Sequence, residues 1–245
     1  MAPASDTTQG LDRYAAAVER LGLDPRRYPI YLERLFDGVP LAGRRLLDIG
    51  GGTGLISFYA ALHGAEVTCL DPIAEGGHEG MHSAFELLRE AVGDGAPVKL
   101  DRRPFQELET GKGSFDVLLL HNSVNHLDEA ACSALPGEAA RRTYMELFHS
   151  LRRLAAPGAD LIVADAARLN LFGMLRLKNP FAPEIEWHLH QQPRMWAALL
   201  GEAGFTGPRV RWNAMTHAGR PGKLLLSNWL GAFATQSHFT LNLRA

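Results

Sequence analysis

A glycine-rich turn between two apolar runs limits the folds open to this chain more than any other part of its sequence. Residues 46–54 read Leu-Leu-Asp-Ile-Gly-Gly-Gly-Thr-Gly. Leu46–Ile49 predicts a short buried strand, and residues 55–63 predict a helix that ends at Gly64. Glycine permits positive φ angles and lets a ligand approach the backbone, while the first turn of the helix leaves N–H groups unpaired. This unit predicts an open α/β sheet that binds a ligand where its strands end.

The rest of the chain extends the same alternation of strand and helix. After two helices over residues 11–38, split by Gly22 and Pro25, short apolar runs alternate with stretches of helical spacing. Such alternation predicts a mostly parallel sheet with helices on both faces. We expect a loose tail over the first ten residues and a turn at Pro157–Gly158, and we leave the type of segment 223–233 open. Further strands are predicted at 66–70, 97–101, 115–120, 161–164, 208–212 and 238–244, and further helices at 81–92, 141–154 and 194–204.

Composition narrows the classes of protein that this sequence can be. The chain has 245 residues, 46% of them hydrophobic, and a formal net charge of −2, which favours a globular protein and argues against nucleic acid as a partner. Two cysteines, Cys69 and Cys132, cannot form a disulfide framework. No apolar run is long enough for a bilayer, and the polar N-terminus lacks a signal-peptide core. We therefore expect a cytoplasmic protein without stable membrane insertion.

The spacing of the loop separates two kinds of nucleotide cofactor. A dinucleotide site needs G-x-G-x-x-G, but Leu55 stands where the third glycine would fall, so a nicotinamide oxidoreductase is the weakest rival. The pattern is instead D-x-G-x-G-x-G. Asp48 would repel a pyrophosphate but suits an ammonium group, and Asp71, at the end of the next strand, suits ribose hydroxyls. A purely structural glycine turn is the alternative interpretation.

With these residues the sequence resembles the class I S-adenosylmethionine-dependent methyltransferases, over about residues 46–165. Asp48 and the glycines at 50, 52 and 54 match that family's first motif, and Asp71 matches the acidic residue of its second. The pattern is similar to small-molecule members such as the ubiquinone-biosynthesis O-methyltransferases. The resemblance implies a doubly wound, Rossmann-like, seven-stranded, mostly parallel sheet with the last strand antiparallel. It also implies an N-terminal tail and helical cap (1–40) before a methyltransferase domain (41–245) with a substrate-side insertion at about 168–193.

The same resemblance implies S-adenosyl-L-methionine as cofactor, with S-adenosyl-L-homocysteine as product. Two positions depart from the family: Arg102-Arg103-Pro104-Phe105 stands where many members carry an adenine-binding Asp, and Asn122 stands where many carry Glu. The residues expected to hold the cofactor are Asp48, Gly50, Gly51, Gly52, Gly54, Leu55, Asp71, Pro72, Arg103, Phe105 and His121.

Histidines supply the candidates for the chemical step. Residues 121–126 (His-Asn-Ser-Val-Asn-His) follow the fourth predicted strand, where a parallel sheet places ligands. We expect His126 first, and then His190, to be a general base or substrate contact, since imidazole titrates near neutral pH. A purely structural His126 is the alternative. Asn122 is expected to orient substrate or cofactor.

The insertion supplies the expected substrate contacts. Tyr31 in the cap, and Trp187 and His188 in the insertion, are expected to touch the substrate. His188 and His190 with Glu184 or Glu186 form a conceivable metal site, but no further ligand cluster is visible, so no metal is expected. Residues 168–178 alternate basic and apolar groups, which is typical either of a helix packed on its domain or of a peripheral membrane contact.

The sequence thus predicts an S-adenosylmethionine-dependent methyltransferase (EC 2.1.1 class) acting on an oxygen of a small-molecule acceptor. Transfer to nitrogen or carbon is an alternative, as is a non-catalytic S-adenosylmethionine-binding regulatory protein. The identity of the acceptor and the oligomeric state stay open, because a fold does not fix the chemistry of its site.

Overall fold

A computed structural model of the chain describes residues 4–72, 79–93, 96–108, 111–183, 185–213 and 226–245. Its strands form a seven-stranded sheet in the order β3-β2-β1-β4-β5-β7-β6. Every predicted strand is present. The strands are β1 (Arg45–Ile49), β2 (Glu66–Leu70), β3 (Val98–Asp101), β4 (Phe115–His121), β5 (Ala155–Ala166), β6 (Thr206–Trp212) and β7 (His238–Arg244).

The pairing of these strands confirms the predicted sheet. β1 pairs in parallel with β2, and β2 in parallel with β3. β7 runs antiparallel to both of its neighbours, β5 and β6. The fold is therefore the mostly parallel, Rossmann-like sheet with an antiparallel last strand that the sequence led us to expect.

Helices occupy most of the predicted positions. Gly22, at φ 79°, follows the first helix, as its lack of a side chain predicts. Of segment 223–233, the structure describes residues 226 onwards, which include a short helix; residues 223–225 lie outside the described part. The helices are α1 (Ala4–Arg20), α2 (Arg27–Leu35), α3 (Leu55–Leu62), α4 (Glu79–Val92), α5 (Glu129–Ala134), α6 (Glu138–Leu154), α7 (Leu171–Met174), α8 (Pro193–Glu202) and α9 (Trp229–Phe233). None of them is long and apolar enough to cross a membrane.

Two local predictions were wrong. Residues 4–10 belong to α1 rather than to a loose tail, since this helix begins at Ala4; at Gly10 the helix backbone packs so closely on α3 that a Cβ would lie 2.8 Å from Leu62. The predicted turn at Pro157–Gly158 lies inside β5. Gly158 (φ 75°) donates its N–H to the carbonyl of Ala245, so cross-strand hydrogen bonding continues through the bend.

The chain divides into two compact units, residues 1–119 and 120–245. In the first, the rings of Phe58 on α3 and Phe85 on α4 lie 5.0 Å apart in the core. In the second, Tyr144 and Trp196 are fully buried with ring centroids 5.0 Å apart. The boundaries expected for the cap, the main domain and the insertion stay predictions.

Candidate active site

The glycine loop follows β1 in the first unit and adopts a conformation that needs glycine. Gly50, Gly52 and Gly54 all have positive φ angles, of 72°, 52° and 78°. Gly54 is the N-cap of α3 in the left-handed region, and a Cβ there would lie 2.6 Å from the Phe85 ring. At Gly51 a Cβ would overlap the Cys69 sulfur. The loop therefore forms a cradle of bare backbone at the carboxyl end of a strand.

Asp48, the penultimate residue of β1, is a buried carboxylate. Only 1% of its surface is exposed. Its Oδ2 accepts a hydrogen bond from Ser57 Oγ at 2.7 Å, whereas its Oδ1 is buried without a hydrogen-bond partner among the described residues. The pKa of Asp48 is raised to about 6 in total: burial raises it most, the Ser57 hydrogen bond lowers it, and the charge of nearby Asp71 raises it. An unpartnered carboxylate oxygen of this kind suits a cationic ligand group.

Asp71, directly after β2, is joined to the loop. Its Oδ2 accepts a hydrogen bond from the backbone N–H of Gly52 at 2.7 Å, so the carboxylate lies directly against the glycine loop. Pro72 is exposed and Leu55 begins α3. These positions put the predicted contacts of the first two motifs within one small region of the first unit.

The predicted adenine-side residues follow β3. Arg103 forms a two-pronged ion pair with Asp101, at 3.0 Å from Nε to Oδ1 and 2.7 Å from Nη2 to Oδ2. This hydrogen bonding lowers the pKa of Asp101. Phe105 is buried at the start of a short 3₁₀ turn, Phe105–Glu107. Arg103 thus pairs with the carboxylate of Asp101, next to the segment where the family motif places Asp.

Helix α2 contributes two tyrosines. Tyr28 and Tyr31 on α2 have ring centroids 6.0 Å apart. Burial raises the pKa of Tyr28, and the charges of Tyr31 and Asp48 raise it further. Tyr31, the tyrosine we expected at the substrate, is half-buried.

The last residue of β4, His121, and the loop that follows it carry the first predicted site residues of the second unit. Burial lowers the pKa of His121 to about 4, with a further contribution from His238, so His121 is neutral at pH 7. Asn122 is exposed in the left-handed region at φ 52°, and its N–H donates to the carbonyl of Ala164 at 2.7 Å. Asparagine tolerates this conformation better than most residues.

His126 lies on a short 3₁₀ turn, Asn125–Leu127, and faces solvent. Its side chain is 53% exposed, and its Nδ1 lies 2.6 Å from Glu129 Oε1. Exposed pairs of this kind contribute little free energy and are screened by salt. The structure therefore leaves His126 with a carboxylate partner but without a buried environment.

His190 has the stronger environment of the two histidines. Its Nδ1 lies 3.1 Å from Asp165 Oδ1, with the two side chains 12% and 0% exposed. Asp165 Oδ1 also accepts the N–H of Ala166, while Oδ2 is buried without a hydrogen-bond partner in the described residues. Because a carboxylate only accepts, the imidazole donates from Nδ1, and the lone pair is then on Nε2.

Cys132 of α5 holds the segment around His190 in place. Its Sγ donates to the carbonyl of Leu189 at 3.0 Å, and its own carbonyl accepts the side-chain amide of Gln191 at 2.7 Å. These two bonds bracket His190 on both sides. Trp187 packs on Gly173, where a Cβ would lie 3.1 Å from the indole, and His188 is exposed.

Within the part of the chain that the structure describes, His188 and His190 do not form a metal site. Within the described ranges no three His, Cys, Asp or Glu side chains are grouped so as to hold a metal ion. Glu184, one of the two acidic residues considered for such a site, lies outside the described residues.

Two residues of the site were not singled out from the sequence. Asp165 stands at the carboxyl end of β5, which is the signal that could have identified it, since parallel strands present ligand contacts at that end. Ser57 lies within the apolar run of α3, and nothing in its sequence context distinguishes it.

Comparison with known proteins agrees with this geometry. A family model described as a methyltransferase domain matches residues 12–207. The chain belongs to this family. Its identification as a class I S-adenosylmethionine-dependent methyltransferase domain is confirmed, and with it S-adenosylmethionine as the cofactor of that domain.

Relatives of the methyltransferase differ widely in sequence. It is similar to a ubiquinone biosynthesis O-methyltransferase of Hahella chejuensis, with 27% identity over 145 residues. That match covers 57% of this chain and 50% of the relative, so the methyltransferase spans about half the length of that protein.

Two solved structures illustrate the shared fold. An S-adenosylmethionine-dependent methyltransferase of Mesorhizobium loti has a TM-score of 0.57 at 17% identity, over 88% of this chain and 96% of that one. A 1,6-didemethyltoxoflavin-N1-methyltransferase of Burkholderia thailandensis, solved with 1,6-didemethyltoxoflavin and S-adenosylhomocysteine, has a TM-score of 0.53 at 16% identity, over 87% and 75%. At these identities the likeness concerns the fold alone.

Proposed function

We propose that the enzyme transfers a methyl group to an oxygen of a small-molecule acceptor. The observation that carries this proposal is the buried His190–Asp165 pair, with 3.1 Å between Nδ1 and Oδ1. A histidine held by a buried carboxylate is the arrangement that a hydroxyl nucleophile needs and that an unprotonated amine can do without.

The donor is assigned to the first unit. Asp48 offers an unpartnered buried oxygen to the ammonium group of the methionine moiety, and the glycine cradle leaves room for a ligand against the backbone. Asp71 is assigned to the ribose hydroxyls and Phe105 to the adenine. When bound, S-adenosylmethionine supplies the methyl group as an electrophile. The remaining proposed contacts are Gly50, Gly51, Gly52, Gly54, Leu55, Pro72, Arg103 and His121.

The second unit is assigned the proton. A phenolic hydroxyl has a pKa of about 10, so about one molecule in a thousand is ionised at pH 7. A positioned base that takes this proton contributes about 10²–10⁴ in rate. We assign that role to Nε2 of His190 and call Asp165 a positioning residue, because its carboxylate fixes the tautomer and orientation of the ring.

The other predicted residues are assigned to the acceptor. Asn122 and His126 follow β4, Trp187 and His188 flank the base in sequence, and Tyr31 comes from the cap. Among the two histidines first considered as base, burial favours His190, since His126 is 53% exposed. His126 is therefore assigned to substrate contact. The protein is proposed to act in the cytoplasm, without nucleic acid as a partner.

The test is a methyl-transfer assay with labelled S-adenosylmethionine against matched panels of phenols, carboxylic acids and amines. His190→Gln should lower kcat by at least about 10²-fold on a hydroxyl acceptor. His149→Gln, an exposed histidine on α6, is the matched control and should leave kcat unchanged. Asp165→Asn should move the acidic limb of the pH–rate profile, which a merely structural role would not do.

Calorimetry with S-adenosylhomocysteine separates donor binding from chemistry. Wild type and His190→Gln should bind it equally, because the donor is assigned to other residues. Transfer to amines alone, with kcat indifferent to His190→Gln, would overturn the oxygen assignment in favour of nitrogen. Tight binding without transfer to any acceptor class would instead favour a non-catalytic binding protein.

A further inference from the structure

A part of the second unit exposes apolar and basic side chains together. Residues 174–178 read Met-Leu-Arg-Leu-Lys, and all five are exposed. The three apolar side chains are 57–63% exposed. The structure corrects the sequence-based picture of a helix over 168–178, because α7 covers only Leu171–Met174. The apolar side chains that follow it are therefore not buried against the domain.

A second exposed apolar pair belongs to the same region. Trp229 and Leu230, at the start of α9, are 47% and 66% exposed. Asn170 joins the two segments: its side-chain amide donates to the carbonyls of Phe233 (3.1 Å) and Thr235 (2.8 Å). Asn179 donates to the Thr235 carbonyl as well, at 2.8 Å. We call residues 174–178 with Trp229 and Leu230 the apolar–basic surface.

This concentration is specific to one region. Among the described residues, nine large apolar side chains are exposed, and seven of them lie within 169–181 or at 229–230. The two others, Ile30 and Val210, lie outside these segments. Single exposed apolar residues are ordinary, but a cluster rimmed by polar groups marks an interaction site.

The charge of the surface selects its partner. Residues 167–183 contain three cations, Arg168, Arg176 and Lys178, and neither this segment nor residues 226–245 contains an Asp or Glu. All three cations are exposed and form no ion pair within the part of the chain that the structure describes. A partner that fits must accept apolar side chains and carry negative charge.

The internal bonding suits insertion of the surface as a rigid unit. Asn170 and Asn179 are almost fully buried, and Gln236 donates from its side chain to the carbonyl of Phe181 at 2.8 Å. These bonds satisfy polar backbone groups beneath the surface, while leucine, methionine and tryptophan point outward with the cations. An anionic bilayer surface accepts such side chains at the boundary between headgroups and acyl chains.

We propose that the apolar–basic surface binds the headgroup region of an anionic membrane. Each Lys or Arg near such a surface contributes about 1 kcal/mol, or about fivefold in partition. The apolar side chains add the favourable free energy of removing their surface from water. The contact is peripheral and reversible, and it brings Trp187, which packs on Gly173 of α7, close to the lipid.

Sedimentation with vesicles tests this proposal. Vesicles of phosphatidylglycerol and phosphatidylcholine should bind the full chain at low salt, and vesicles of phosphatidylcholine alone should bind it at least about tenfold less. Lys178→Gln should weaken binding about fivefold, whereas Lys112→Gln, an exposed lysine of the first unit, should not. Replacing Met174, Leu175 and Leu177 together by Ser should abolish binding, whereas Ile30→Ser should not.

The outcomes against the proposal are equally defined. Equal binding to both vesicle types, or no binding to either, overturns it. Light scattering supplies a second measurement: a dimer in solution that the triple serine variant dissociates would assign the surface to a second copy of the chain. An unchanged thermal midpoint in the variants ensures that a loss of binding reflects the surface rather than unfolding.

Discussion

Replacing Asp48 by Asn should change the free energy of unfolding of the ligand-free protein in a pH-dependent way. The variant should gain stability over wild type as the pH rises from 4.5 to 8. The carboxylate is 1% exposed, and burial raises its pKa from 3.8 to about 6. This shift of about two units corresponds to about 3 kcal/mol. Because the folded-state pKa lies above the unfolded one, the stabilisation is present below pH 3.8 and is lost as pH rises through 6. Asparagine does not titrate and keeps an oxygen for Ser57.

Urea unfolding at several pH values measures this effect. The stability of Asp48→Asn minus that of wild type should increase by about 2 kcal/mol between pH 4.5 and pH 8. Any penalty for the unpartnered amide is the same at every pH and cancels in that difference. Asp12→Asn, an exposed carboxylate on α1, is the matched control. A difference that stays constant with pH, or that changes in the opposite direction, would refute the reasoning.

Three other substitutions test separate parts of the fold by urea unfolding. Gly54→Ala should destabilise by at least about 3 kcal/mol, since it combines a positive φ with a Cβ 2.6 Å from the Phe85 ring, whereas Gly43→Ala, at φ 71° in open space, should cost about 1–2 kcal/mol. Asn170→Ala should cost about 1–3 kcal/mol, because it removes the side-chain donor to the Phe233 carbonyl and one of the two donors to the Thr235 carbonyl; a smaller loss would show that water replaces it. Asp116→Asn should cost about 1–2 kcal/mol at pH 7 and almost nothing at pH 2, because Arg45 lowers the pKa of Asp116 to about 2 and its stabilisation is lost as pH falls through that value.

The sheet was predictable because its signals are local. Each strand is a short apolar run between turn residues, and the glycine loop fixes the order of strand, turn and helix at residues 46–62. The start of α1 and the bend at Gly158 were mistaken for a different reason. Gly10 packs on Leu62, and Gly158 hydrogen-bonds Ala245, so both depend on contacts distant in sequence.

The residues of the candidate site also fall into those that a local motif predicts and those that depend on contacts distant in sequence. Asp48 and Asp71 belong to a motif with fixed spacing, and the structure joins Asp71 to the loop at Gly52. The carboxylate that distinguishes His190 from His126 is 25 residues away along the chain. His190 and Asp165 come together only in the folded chain, and no local sequence pattern indicates that they pair.

The position of β7 has a consequence for synthesis of the chain. β6 is made first but lies at the edge of the sheet, and its neighbour in the strand order is β7, which is made after it. Until the ribosome has released residues 238–244, β6 has no strand to pair with and β5 presents an open edge. Unpaired edges are prone to join other chains. The edge of β5 is therefore open to pairing with other chains until residues 238–244 have been added to the sheet.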